Sequence, residues 1–293
     1  MIYKIRHLTS YDFNLSVAFA KLVLHVTPRD ELGQRCIEHG LDISPRPVSV
    51  TLERDFYGNG VKVVAIETPH TELSIEATSI VEVTHGIPSS TSGQKWETVA
   101  SEALSRRDLS GTAPAHFLFS SPRIELSADV TRYARDSFLQ DRGVLDASRE
   151  LMRRIKNDFA YEPDATEIST PLAQAFSERR GVCQDFAHIM IAGMRGLGLP
   201  VAYVSGYIRS VPPPGKSRLE GADATHAWVS VWCGPDDGWI GFDPTNAMET
   251  ANDHIVLAIG RDFSDVSPVH GVFVGSGANE LDVEVDVIPV ISR

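Results

Sequence analysis

The chain has 293 residues, 42% of them hydrophobic, which is enough for two domains with a core each, so disorder over most of its length is excluded. Its formal net charge of -12 argues against nucleic acid as a partner, because a phosphate backbone is held by clustered Lys and Arg. Three scattered cysteines, Cys36, Cys183 and Cys233, build neither a disulfide framework nor a zinc site of recognised spacing.

The first 85 residues alternate with a period of two. Segments 48–53, 61–67 and 72–83 are rich in β-branched residues and are separated by turn signals at Gly58-Asn59-Gly60 and Thr68-Pro69-His70. This pattern predicts an N-terminal antiparallel β domain, a sandwich or a meander, over 1–85. The opening residues 1–9 alternate too and lack the apolar run of a secretory signal. No stretch approaches the roughly 18 apolar residues of a membrane span, so a soluble, cytoplasmic protein with no membrane partner is expected.

Small polar residues at 86–93 mark the start of a connector, taken as 86–125. Around and beyond it the period shifts toward 3.6, with helices expected over 95–105, 127–136 and 144–157, the last burying Leu145, Leu151, Ile155 and Phe159. After Cys183, apolar residues from Phe186 to Leu197 fall at helical spacings and stop at Gly196-Leu-Gly-Leu-Pro200. Strands follow at 201–208, 227–233 and 239–242. Residues 209–223, rich in Pro and Gly, read equally as a lid over a site or as a solvent loop. The tail alternates Val283, Val285 and Val287 with Asp282, Glu284 and Asp286 and is expected to add one strand to a sheet. The fold class is therefore α+β, with a core over 126–268 of helices packed on an antiparallel sheet and a C-terminal β extension over 269–293.

Three residues in that core stand where element boundaries let them converge: Cys183 at a helix start, and His226 and Asp243 at or beside strand ends. A thiol needs a base to take its proton, and a carboxylate on the far nitrogen of an imidazole fixes the base's tautomer. Each residue also has a structural reading: unpaired cysteines pack in cores, and Asp-Pro starts turns. Their order and contexts favour a nucleophile, base and orienting acid. His188, about 140° round the helix from Cys183, points away from the thiol, and His254 and His270 are given no catalytic role. Trp228, Trp232 and Trp239 read as core, Cys36 and Cys233 as bystanders, and Asp185 and Asp223 as groups that cap or tune.

The segments Gly-Val-Cys-Gln-Asp-Phe-Ala-His (181–188), Tyr-Val-Ser-Gly-Tyr (203–207), His-Ala-Trp-Val (226–229) and Gly-Trp-Ile-Gly-Phe-Asp-Pro-Thr-Asn (238–246) resemble the bacterial transglutaminase-like family. So do His254-Ile255, Ala258-Ile-Gly-Arg-Asp262, Asp265-Val-Ser-Pro268 and, in the β domain, Asp55-Phe-Tyr-Gly-Asn59 and Pro69-His-Thr-Glu-Leu73. The resemblance covers nearly the whole chain. It implies a papain-like core, no metal or other cofactor, and catalysis by Cys183, His226 and Asp243. The expected function is a thiol-dependent amide-bond enzyme working through a thioester, a cysteine peptidase or amidohydrolase on a peptide or protein substrate. Transglutaminase or glutamine deamidase chemistry uses the same triad, and a catalytically silent peptide-binding scaffold is the alternative from a different class.

Overall fold

The computed structural model describes residues 1–31, 33–84, 92–163, 165–167, 169–209, 224–275 and 277–290. Most of the connector's polar run and nearly all of the candidate lid lie outside these residues, as does Asp223.

Alternation in the N-terminal half produces six strands: β1 (Ile2–Val17), β2 (Phe19–Leu24), β3 (Gln34–Ser44), β4 (Ser49–Arg54), β5 (Gly60–Ile66) and β6 (His70–Val83). After them come α1 (Trp96–Ser105), a 3-10 turn (Pro114–Phe117), α2 (Ala128–Arg135), α3 (Val144–Asp158), β7 (Ala160–Tyr161), α4 (Leu172–Glu178), β8 (Arg180–Gly181) and α5 (Cys183–Arg195). The chain closes with β9 (Val201–Ile208), β10 (Ala224–Trp232), β11 (Trp239–Asp243), β12 (Met248–Glu249), β13 (His254–Gly260), α6 (Phe263–Val266), β14 (Val269–Val274) and β15 (Asn279–Pro289). The short α4 carries too little periodicity to be read from sequence.

Two four-stranded antiparallel sheets, ordered β15-β1-β6-β3 and β14-β2-β5-β4, form a sandwich. Their facing residues, among them Tyr11, Phe13, Leu22, Leu24, Val64, Ile66, Leu73 and Ile75, make one core. The alternating tail adds one strand to a sheet as expected, β15 along β1, while β14, ahead of it in the chain, runs along β2 in the other sheet. Val285 and Val287 are buried while Val283 stays partly exposed.

The second half is a five-stranded antiparallel sheet, β12-β11-β10-β9-β13, with α5 packed on it. Almost every residue of α5 is buried, as expected of a helix with few polar side chains enclosed by α2, α3, α4 and the sheet. Residues 86–125, read as a connector, carry α1 and the 3-10 turn, and their Val99, Ala103, Leu118 and Ile124 belong to the helical core.

The halves are locked along β13, an edge strand whose outward backbone groups need partners. Gln34 donates to Val256 O at 2.8 Å and accepts from Val256 N at 2.7 Å. Asn59 does the same for Ile259 O and N, both at 2.8 Å. An apolar patch of Tyr3, Ile5, Val81, Val285 and Val287 from the sandwich against Tyr207, Ile255 and Leu257 completes the contact.

Candidate active site

Cys183 is the first residue of α5, so its backbone N–H is one that the helix itself leaves unpaired. The helix start is built by Asp185, whose Oδ2 accepts from Val182 N at 2.8 Å and from Thr166 Oγ1 at 2.6 Å. A side chain at position 181 would collide with it, since a Cβ there would lie 2.5 Å from Asp185 Oδ2. Gly181 thus lets the carboxylate fold back under the turn that presents the thiol. Burial raises the Asp185 pKa, against the pull of Thr166 and Val182.

His226 lies within β10 in register with Gly206 on β9. Its Nε2 is 2.8 Å from Asp243 Oδ2, which commits that nitrogen and leaves Nδ1 for the thiol of Cys183. Burial opposes charge on His226, but its hydrogen bonds to Asp243 and Cys183 outweigh it and raise its pKa to about 10.

Asp243 ends β11 and is fully buried. The Asp-Pro-Thr-Asn turn serves it directly: Oδ1 accepts from Thr245 N at 2.9 Å and Asn246 N at 3.1 Å, and Oδ2 accepts from Asn246 Nδ2 at 2.7 Å. Burial works against its ionisation, yet the hydrogen bonds from His226, His254 and Asn246 hold its carboxyl well below the usual range. The Asp-Pro turn that anchors Oδ1 thus also sets Oδ2 against His226.

His254, which the sequence left without a catalytic role, opens the buried strand β13, is 0% exposed, and its Nε2 lies 3.2 Å from Asp243 Oδ2. A signal was available, since a lone imidazole heading the apolar run Ile-Val-Leu-Ala-Ile needs a buried partner. His188 is buried against Tyr203 and accepts from Phe263 N, Trp228 and Trp232 are buried as read, Cys233 is enclosed, and Trp239, also read as core, is half-buried at the edge of the core.

Cys183 and His226 share a cleft of about 270 Å3. Its other walls include Tyr203 and Phe263 from the core, and Thr9, Tyr11, Leu281 and Val283 from the sandwich. Among the described residues, no Asp, Glu, Lys or Arg lines it. His7, on the same wall, is held near pKa 4 by burial and is therefore neutral at pH 7. Among the described residues one group has metal-ligand composition and spacing, His226, Asp243 and His254, with donor atoms within 4.8 Å of one another. Both imidazoles turn Nε2 to one carboxylate oxygen, so an ion there would take His226 out of contact with Asp243.

Residues 3–82 match the model of the bacterial transglutaminase-like N-terminal region, and residues 128–244 match that of the transglutaminase-like superfamily. An uncharacterized protein of Mycobacterium tuberculosis is 40% identical over 98% of this chain and 92% of its own. One from Mycobacterium leprae is 31% identical over 97% of both. A solved candidate cysteine protease from Cytophaga hutchinsonii superposes with a TM-score of 0.77 at 21% identity, over 100% of this chain and 92% of that one, a likeness of fold. With the sandwich, the helix-borne thiol and the sheet-borne imidazole and carboxylate, these matches establish that the chain belongs to the bacterial transglutaminase-like family.

Proposed function

We propose that this protein is a thiol-dependent amide-bond hydrolase acting on peptides or proteins, with Cys183 as nucleophile, His226 as acid and base, and Asp243 as the group that orients His226. The observation that carries this reading is the placement of one imidazole between a helix-start thiol and a buried, multiply bonded carboxylate, with the thiol and the imidazole opening on a cleft. An imidazole raised to about 10 is basic enough to take a thiol proton, the unperturbed cysteine value being about 8.5.

In this reading Cys183 Sγ attacks the amide carbonyl carbon, and the C–O π pair moves to oxygen. The N–H of Cys183 at the α5 terminus donates to that oxyanion, and one such donor is worth about 3 to 4 kcal/mol. His226 passes its proton to the leaving nitrogen as the C–N bond breaks, leaving a thioester and an amine. Water then attacks with His226 taking its proton, and collapse restores the thiol and releases a carboxylic acid. The apolar side chains that line the described part of the cleft, Phe263, Leu281 and Val283 among them, suit an uncharged acyl group. Water is favoured as acceptor because a lysine amine would have to be bound neutral and sheltered from it.

The test is mass spectrometry of a mixed peptide library incubated with the protein, with and without an added primary amine, using Cys183→Ala as control. New peptide termini that need Cys183 support the peptidase. Intact peptides that gain the amine, or whose glutamines become glutamates, move the assignment to the transglutaminase or deamidase branch. No Cys183-dependent change of either kind leaves the scaffold reading.

A further inference from the structure

We propose that His254 is a positioning residue for this site: a second imidazole whose fixed tautomer donates to Asp243 and so sets how firmly Asp243 holds His226. The argument begins at the backbone. Ala251 N–H donates to His254 Nδ1 at 3.3 Å, while His254 N–H donates to Ala251 O at 3.0 Å, so the ring is tied to its own turn. A ring nitrogen that accepts an N–H carries no proton, and a neutral imidazole then has its one proton on Nε2. That nitrogen is the one 3.2 Å from Asp243 Oδ2, the oxygen that also accepts from His226 Nε2 at 2.8 Å.

The ring has little freedom to leave. It is fully buried, and Trp228 meets it edge to face at a centroid distance of 5.2 Å and 76°. Trp228 is seated in turn by the missing side chain of Gly206, where a Cβ would lie 2.4 Å from the indole. The carboxylate itself does not depend on His254 for its place, because Oδ1 is anchored by Thr245 N and Asn246 N. What His254 supplies is a donor to the oxygen that faces His226. Remove it, and that oxygen is left with two donors, Asn246 Nδ2 and the His226 N–H, so it holds the imidazolium more tightly and weakens it as the acid that protonates the leaving amine. The effect belongs to the chemical step and not to substrate binding.

The kinetic arm rests on the hydrolase reading above and the spectroscopic arm does not. In 15N-labelled protein at pH 7, long-range 1H–15N correlation of the imidazoles should show His254 protonated at Nε2 and bare at Nδ1. The His226 N–H should move further downfield in His254→Phe than in His254→Gln. On the best peptide from the library, His254→Phe should lower kcat by about 10- to 100-fold, the range for one lost hydrogen bond to a charged group, with KM unchanged. His254→Gln, which keeps an N–H donor of similar reach, should recover most of that loss. A proton on Nδ1, an unmoved His226 N–H, or equal kcat in the Phe and Gln variants would each overturn the proposal, the last even if His254→Phe is too unstable to compare alone with the native chain. If the native chain turns over nothing and Cys183 alkylates no faster than Cys36, the hydrolase reading fails, and the imidazole spectra still decide the role of His254.

Discussion

Asp243 gathers donors from three sources: its own turn, His226 on the neighbouring strand and His254 on the far side of the sheet. Asp243→Asn would preserve the turn's shape but present an N–H or an acceptor of the wrong kind to His226. Turnover should fall by about 10⁴-fold, the scale seen when an orienting carboxylate is neutralised and the wrong tautomer results. Thermal stability measured alongside kcat separates this from unfolding. Cysteine labelling gives a substrate-free check. Burial pushes the Cys36 thiol up, with Asp30 adding to it, and burial pushes the enclosed Cys233 thiol up much further. Iodoacetamide at pH 7 should therefore modify Cys183 first, as read by peptide mass mapping, and preferential labelling of Cys36 would contradict the assignment.

At the scale of elements, two side chains substitute for a missing strand. Gln34 and Asn59 pair the outer backbone groups of β13 at Val256 and Ile259, and both are buried. Gln34→Ala leaves the Val256 N–H without a partner while Val256 O keeps Arg29 N at 3.1 Å, and the loss should be about 1 to 3 kcal/mol. Urea midpoints, compared at equal m-value, measure it. The strand pair β9–β10 makes a second demand. Gly206 faces Ile255 O, 2.1 Å from where its Cβ would stand, as well as the Trp228 ring. Gly206→Ala should cost about 1 to 3 kcal/mol through overpacking and should disturb His226, its register partner. An activity loss no larger than that of a surface Gly→Ala would refute the link.

For the molecule as a whole, buried histidines set the pH dependence of stability. Burial holds His7, His39 and His188 near 4, Lys62 adding to the effect at His39 and Asp262 opposing it at His188. Their unfolded value is about 6.5, so between about 4 and 6.5 the unfolded chain binds more protons than the native one. Stability should fall as pH drops through that window, by up to about 1.4 kcal/mol per pH unit per group. His226 has the opposite sign. Raised to about 10, it contributes fully below about 6.5 and loses that contribution as pH rises through about 10. The two slopes meet near pH 6.5, with the steeper fall on the acid side. Urea midpoints at pH 5, 6.5 and 8.5 test this, and a flat response between 5 and 6.5 would rule out the three neutral histidines.

Local chemistry determined much of this from sequence. Alternation marked the sandwich strands, helical spacing marked α5, and the place of Cys183 at the start of that helix followed from where its apolar stripe begins. The separate contexts of Cys183, His226 and Asp243 were legible because each sits at an element boundary, and boundaries carry Gly, Pro and turn residues. Tertiary structure alone decided which distant surfaces meet. His254 reads as an ordinary polar residue until β13 packs beside β9 and brings it to Asp243, and Thr9, Tyr11, Leu281 and Val283 read as sandwich residues until that sheet closes over the cleft. Periodicity reports which face of an element is buried, but not against what. The partner is chosen by long-range packing, and in this chain that packing completes the candidate site.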